Sequence, residues 1–386
     1  MDTDSLYPRF SDAEYSRRYA DMRRAMREAD LSALVLYGTT SAYQEVLFLS
    51  NFITSREALF VFPVEGEPTL FVQYYNHVPN ARQVATIEDV RWGGPDITVA
   101  TVENLQARGL GAHRIGVVGP MTWKQYEMMR KMLPQAIFVD FIPQMMHLRL
   151  VKSEEEIEFL RRGAEFSDLA IEALEREVRP GMREYELTGI VEGAYLGLGG
   201  KTHIHYMATT PMSRPSVCVP AQQQSNRVIE NGDVLITEIS AHYQGYAGQI
   251  LRPFAIGTSP TAEYQRLYDV AVEAFSRIMG VLKDGATTDE VLDAAESIHE
   301  AGFTICDDLL HGFGGGYLAP ILRTRKTSAR PQQPFTFREN MTVVIQPNVI
   351  SEDGRMGVQV GELVRVTGNG VESLHRYPLR FISAGQ

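Results

Sequence analysis

Between Ser11 and about Leu31, Tyr15, Tyr19, Met22 and Met26 recur three and four residues apart. That period predicts an amphipathic helix, and Ser11 followed by Glu14 is a capping-box start. The apolar run "ALVLYG" ends at Gly38, and "ALFVFP" and "TLFVQY" flank the turn-rich "VEGEP". These three runs read as buried strands. Farther on, "RIGVVG", the helical "TWKQYEMMRKML" and the strand-like "AIFVDF" continue the alternation. Strands alternating with helices predict an α/β domain over residues 1–150.

From residue 151 the pattern changes. Ser153 with Glu156 is a second capping box, followed by apolar residues at Ile157, Leu160, Ala164 and Leu169. A helix over "EYELTGIVEGAYLGLG" follows the turn at Pro180-Gly181. The runs "VCVP", "DVLITEIS" and "GYAGQILRPFAIG" predict strands of one antiparallel sheet. Two helices, "TAEYQRLYDVAVEAFSRIMGVL" and "TTDEVLDAAESIHEAG", precede further strands in "MTVVIQPNVI" and "VQVGELVRVT". Helix pair, sheet, helix pair, sheet predicts a pseudo-symmetric α+β domain over residues 151–386. The sequence shows neither tandem repeats nor low-complexity tracts.

A chain of 386 residues can bury two ordinary cores. Its net charge of −11 argues against a nucleic-acid surface, which would show clustered Lys and Arg. The two cysteines, Cys218 and Cys306, fit a reducing compartment better than a disulfide scaffold. The acidic start Met1-Asp-Thr-Asp-Ser has no signal-peptide character, and no apolar run approaches the ~18 residues of a membrane span. The expected address is the cytoplasm, without membrane or nucleic-acid partners.

Five ordered motifs then carry a resemblance. "LRLVKSEEEIEFLRRGAEFSDLAIEAL", "NRVIENGDVLITEISAHYQGYAGQILRPF", "HGFGGGYLAP", "NMTVVIQPNVI" and "GVQVGELVRVT" resemble the pita-bread domain of the creatinase and aminopeptidase P family. The first domain resembles that family's creatinase-type N-terminal domain. The resemblance implies an α/β N-terminal domain plus an α+β pita-bread domain, and a homodimer. It also implies positions for five residues that hold two divalent cations in the metallopeptidases: Glu238, Gln249, His311, Gln346 and Gly361. One carboxylate, one imidazole, two amides and a glycine are poor at neutralising about four positive charges. Glu362, beside the glycine, is turned to the opposite face by strand alternation. The proton-handling positions carry Ala221 and Leu318, with Ala319 following.

The pattern therefore resembles the metal-independent creatinase and ectoine hydrolase branch, with no cofactor and a small-molecule substrate. It implies a hydrolase or lyase acting on a C–N bond of a small amino-acid-like or osmolyte substrate. Glu238 is the candidate base or nucleophile and His311 the proton shuttle. Gln249 and Gln346 are substrate-binding candidates because an amide can hydrogen-bond a carbonyl where an acceptor-only carboxylate cannot. By the same resemblance Phe52 would supply an apolar wall and Arg56 a carboxylate clamp. Tyr246, Tyr317 and Arg323, with Arg325 beside it, complete the candidates. Glu238 could instead be a buried structural carboxylate paired with Arg252. Two rival functions stay open: a Xaa-Pro peptidase with a mononuclear metal site, and a binding protein that has lost catalysis. Gly314–Gly316 lacks the context of a phosphate loop. His203 and His205 are candidates for one core and one surface position, His242 for a solvated turn, and Asp307 and Asp308 for turn residues.

Overall fold

The computed structural model describes residues 6–386. The chain divides into two compact units, Met1–Arg149 and Leu150–Gln386.

In the first unit, α1 (Asp12–Glu28) precedes β1 (Ala33–Thr39), α2 (Gln44–Ser50), β2 (Glu57–Pro63) and β3 (Thr69–Val72). Then come α3 (Val78–Val84), β4 (Asp89–Trp92), α4 (Ile97–Ala107) and β5 (Arg114–Val118). The unit closes with α5 (Trp123–Met132), β6 (Ile137–Asp140) and α6 (Ile142–Leu148). Its sheet has the order β4-β3-β2-β1-β5-β6. Strand β1 lies parallel to β5, whereas β2 is antiparallel to both β1 and β3. Both faces are covered, so the strands are apolar throughout rather than alternating. Leu34, Leu36, Phe60 and Phe62 pack with Met22 and Met26 of α1. On the other face, Ala33, Val35, Leu59 and Val61 pack with Val102 and Leu105 of α4. Ser11 caps α1 by accepting from the Glu14 amide, while the Glu14 carboxylate binds Arg17 and Arg18.

The second unit starts with α7 (Glu154–Glu177) and α8 (Glu184–Gly193), then β7 (Lys201–Pro211), β8 (Asp233–Tyr243), β9 (Tyr246–Leu251) and β10 (Phe254–Ile256). Helices α9 (Ala262–Val281), α10 (Thr288–Ala294) and α11 (Ser297–Glu300) follow, then β11 (Leu310–Gly312), β12 (Leu318–Leu322) and β13 (Thr342–Ile345). Strands β14 (Asn348–Ile350), β15 (Gly357–Gln359), β16 (Gly361–Val366), β17 (Val371–Ser373) and β18 (Ile382–Ala384) complete it. The main sheet runs β12-β11-β13-β16-β9-β8-β10-β18, with β7 on β8 and β17 on β16; β14 and β15 form a separate hairpin.

Ser153 and Glu156 close the capping box of α7, each side chain meeting the other residue's amide. This helix lies directly on β9 because both sides supply a glycine at the crossing. A Cβ on Gly163 would come 2.4 Å from the Tyr246 carbonyl, and one on Gly248 would come 2.3 Å from Ala164 Cα. The helix-facing side of the sheet is apolar (Leu235, Ile239, Ala241, Ile250). The opposite side is thereby left for polar residues.

Three expected elements differ. "VCVP" is not a strand, since Pro220 ends it and Pro215 stands two residues before it, and both lack the N–H that a ladder requires. The helix expected through Gly199 stops at Gly193, and a 3-10 turn at Leu196–Leu198 follows; Gly193, Gly197 and Gly199 crowd its end. The helix expected over 287–302 breaks between Ala294 and Ser297.

Candidate functional site

Strands β8 and β9 pair antiparallel with Ser240 opposite Gln249. The period of two places Glu238 and Ser240 on the same face as Gln249, away from α7. Tyr206 of β7 is opposite Glu238. From the other half of the sheet, β11 contributes His311, and Gln346 directly follows β13. Glu238 is 3% exposed; Gln249, His311 and Gln346 are fully buried.

One hydrogen-bond chain orders these side chains. Gln249 Nε2 donates to Glu238 Oε1 at 3.1 Å and to Gln346 Oε1 at 2.7 Å. An amide nitrogen turned to both acceptors fixes the Gln249 orientation, which in turn leaves the Gln346 nitrogen free to face the site. Three polar atoms in this nest are buried without a well-formed hydrogen bond: Gln249 Oε1, Gln346 Nε2 and His311 Nε2, the Gln346 amide lying close enough to the His311 ring to act on its pKa. Ser240 Oγ and Gln359 Oε1 are in the same state. Unspent polar atoms are rare in a protein interior, because each costs roughly 1–3 kcal/mol. Converging here, they describe a place for a polar ligand.

Burial sets the protonation. The Glu238 carboxyl is raised to about 8, chiefly by loss of solvent and then by the Asp307 carboxylate; Gln359 opposes the shift by hydrogen bonding, and Asp308 adds to it. His311 is lowered to about 4, again chiefly by burial, with Gly312 and Gln346 pulling it up and His203 pushing it down. Its Nδ1 lies 3.1 Å from the Gly312 carbonyl. A neutral imidazole there donates from Nδ1 and offers its Nε2 lone pair to the site. The Tyr317 ring stacks on His311 at 4.0 Å and Phe313 meets it edge-on at 5.4 Å.

Phe52 is 4% exposed and lies in the first unit's core with Val46 and Leu49, so it offers no wall to a substrate. Arg56 is exposed in the first unit, just ahead of β2. Tyr246 is three residues from Gln249 and therefore on the opposite face of β9; its hydroxyl donates to Glu156 at 3.0 Å. Arg323 donates to the Cys306 carbonyl at 2.8 Å and lies 3.8 Å from Asp308. Arg325 is taken by Asp289 and Asp293. Arg252 pairs with Glu362, not with Glu238, and its guanidinium also reaches the Gly361 and Pro378 carbonyls. His242 is buried, not solvated, and accepts from the Gly245 amide to close the β8–β9 turn.

Sequence reasoning overlooked Gln359, Ser240 and Tyr206. Gln359 hydrogen-bonds Asp307 at 3.1 Å and lies close enough to Glu238 to restrain the rise of its pKa. It stands two positions before Gly361, so strand period alone could have found it. Asp307, read as a turn residue, belongs to this network. Tyr206 could be placed only once β7 was known to pair with β8.

Models of two families match the chain. Metallopeptidase family M24 matches residues 158–368, and the creatinase/prolidase N-terminal domain matches residues 18–151. The chain belongs to metallopeptidase family M24. This M24 protein is 28% identical to the Xaa-Pro dipeptidase of Pyrococcus furiosus over 67% of its own length and 73% of that protein. An uncharacterized peptidase of Bacillus subtilis is 26% identical, with 83% of this chain and 88% of that protein covered. The X-Pro aminopeptidase structure from Thermotoga maritima superposes with a TM-score of 0.82 at 21% identity, covering 95% of this chain and 99% of that one, which shows the fold. The M24 protein is a hydrolase acting on C–N bonds. These relatives carry peptidase names, and they lend no support to the creatinase and ectoine hydrolase branch in particular.

The family's metals can be tested against the donors. Among the described residues no group of three or more His, Cys, Asp or Glu side chains could hold a metal ion. Gln249 turns an N–H, not a lone pair, towards Glu238. At Gly361 a Cβ would fall 1.9 Å from the Ile345 carbonyl and 2.8 Å from Gln346 Cα, so the backbone is closed against a ligand side chain. Hard divalent cations take oxygen anions, and this set does not fit a pair of them. No helix of the described residues is long and apolar enough to cross a membrane.

Proposed function

We propose that this M24 protein hydrolyses a C–N bond of a small polar substrate without a two-metal centre, as creatinase-type members of the fold do. The observation that carries this reading is the nest of unspent polar atoms on Gln249, Gln346 and His311 around the buried Glu238 carboxyl, where the resemblance places the cations.

The roles differ from those the sequence suggests. A carboxyl raised to about 8 holds its proton near neutral pH, and an imidazole lowered to about 4 is uncharged there. Pairs of groups whose environments push their pKa values apart mark acid and base assignments. Glu238 is then the acid that protonates the leaving nitrogen, and His311 Nε2 accepts the proton of the attacking water. The Gln346 Nε2 donor, held in place by Gln249, stabilises the oxyanion. Water adds to the carbon, the C–N bond breaks, and the proton on His311 returns to Glu238.

A Xaa-Pro peptidase reading is favoured by the relatives, several of which carry that name. Elemental analysis with a screen of Xaa-Pro dipeptides and small N-substituted amides, each with and without chelator, separates the two. We expect substoichiometric metal and chelator-resistant turnover of a small amide. Stoichiometric metal with Xaa-Pro cleavage that stops on chelation would establish the peptidase reading instead.

A further inference from the structure

The two cysteines, 88 positions apart in sequence, meet in space. Cys218 lies on the irregular stretch between β7 and β8, and Cys306 lies in the connection leading to β11. Their thiols lie close enough to shift each other's ionisation in opposite directions, Cys218 down and Cys306 up. A third residue holds both segments: Asn348 Nδ2 donates to the Cys218 carbonyl at 3.2 Å, while Asn348 Oδ1 accepts from the Cys306 amide at 3.4 Å and from its thiol at 3.5 Å. The carbonyl of Cys218 also packs so tightly on β15 that a Cβ on Gly357 would come within 2.1 Å of it. Cys306 is exposed and Cys218 half-buried, so reagents reach the pair. No role in the site described above falls to either thiol.

Their neighbours do belong to that site. Asp307, next to Cys306, accepts from Gln359, which adjoins Glu238 and acts on its pKa. Arg323 grips the Cys306 carbonyl. On the other side, the Cys218 stretch continues through Ala221, whose carbonyl accepts from Met207 beside Tyr206. A covalent link between the two would tie the segment bearing Ala221 to the segment bearing Asp307.

We propose that Cys218 and Cys306 form a reversible dithiol–disulfide pair whose oxidation fastens these two walls of the site together. The oxidant is a low-molecular-weight disulfide. The Cys218 thiolate attacks one of its sulfurs, breaking that S–S bond and releasing one small thiolate, which takes up a proton. Cys306, once deprotonated, attacks the Cys218 sulfur of the mixed disulfide; the protein S–S bond forms and a second small thiol leaves. Two protein thiols are oxidised and one small disulfide is reduced to two thiols. Cys218 suits the first attack because its coupling to the neighbouring Cys306 thiol lowers it to about 7, within reach of ambient pH, whereas Cys306 is raised and serves as the second, resolving thiol.

The full chain, chelator-treated, is incubated with excess oxidised glutathione, alkylated and weighed intact, with Cys218→Ser and Cys306→Ser in parallel. The expected wild-type product has lost both alkylatable thiols and the mass of two hydrogens, without a glutathione adduct, and dithiothreitol restores it. Cys306→Ser should stop at one stable adduct. Oxidised wild type should also resist proteolysis within residues 212–232 at least several-fold longer than the reduced form, whereas neither variant should change. Persistent adducts on both wild-type cysteines, disulfide-linked dimers, or unchanged cleavage of residues 212–232 after internal disulfide formation would each overturn the proposal.

Discussion

Replacing Glu238 with Gln turns the central electrostatic claim into a stability measurement. The carboxyl is raised from 4.5 to about 8 in the folded chain, mainly by burial. Between those values the folded state keeps a proton that the unfolded state gives up. Stability therefore contains a contribution present below the unfolded pKa and lost as pH rises through the folded one. At ~1.4 kcal/mol per pH unit, the full window corresponds to about 5 kcal/mol. His311, lowered to about 4, acts in the other direction, costing stability as pH falls below its ordinary value. That contribution is shared by both proteins and drops out of their difference. Urea unfolding of chelator-treated wild type and Glu238→Gln at pH 5 and pH 8 reads the effect. Wild type should lose several kcal/mol more than the variant across this interval. Parallel stability profiles for the two would refute a protonated, metal-free Glu238, since a carboxylate on a cation is ionised at both ends of the window.

His311→Gln should lower turnover of a C–N substrate ~10²–10⁴-fold, the range for loss of a general base, while leaving the urea midpoint within reach of wild type; activity within about twofold of wild type would remove it from the chemistry. Gly361→Glu restores the residue that the resemblance expects, but its Cβ meets the Ile345 carbonyl. It should destabilise the chain by about 2–4 kcal/mol in a denaturant titration, and dialysis against manganese or zinc should leave it without stoichiometric metal. Phe52→Ala should cost about 3–5 kcal/mol in the same assay because the ring is buried in the first unit's core. Its KM should not move; a large rise in KM with unchanged stability would return Phe52 to the substrate.

Much of the second unit was legible because its signals are local. Ser153 and Glu156 cap α7 through neighbouring amides, which four residues can specify. The spacing of Glu238 and Gln249 places them on facing strands of a hairpin, and the ladder puts Ser240 opposite Gln249. Tyr246 could have been set aside from the sequence, since an odd offset from Gln249 turns it to α7. Phe52 could not, because an aromatic in a loop has no period to show which way it points. "VCVP" misled because β-branched residues advertised a strand while Pro215 and Pro220 forbade its ladder.

The sequence by itself determined which chemical groups stand at the site: one carboxyl, one imidazole and two amides where the family has more anions. The family resemblance of the ordered motifs named these four and strand period gave the shared face of Glu238 and Gln249, while Gln359, Ser240, Tyr206 and Asp307 carried no such mark. Only the tertiary structure decided what those groups are. Burial raised Glu238 and lowered His311, exchanging the acid and base roles that their ordinary pKa values suggest. The choice of Gln249 as donor to both Glu238 and Gln346 depended on three strands meeting, and the approach of Cys218 to Cys306 on two connections that Asn348 holds together. Desolvation and long-range pairing arise from residues distant in the chain, and no local pattern encodes them.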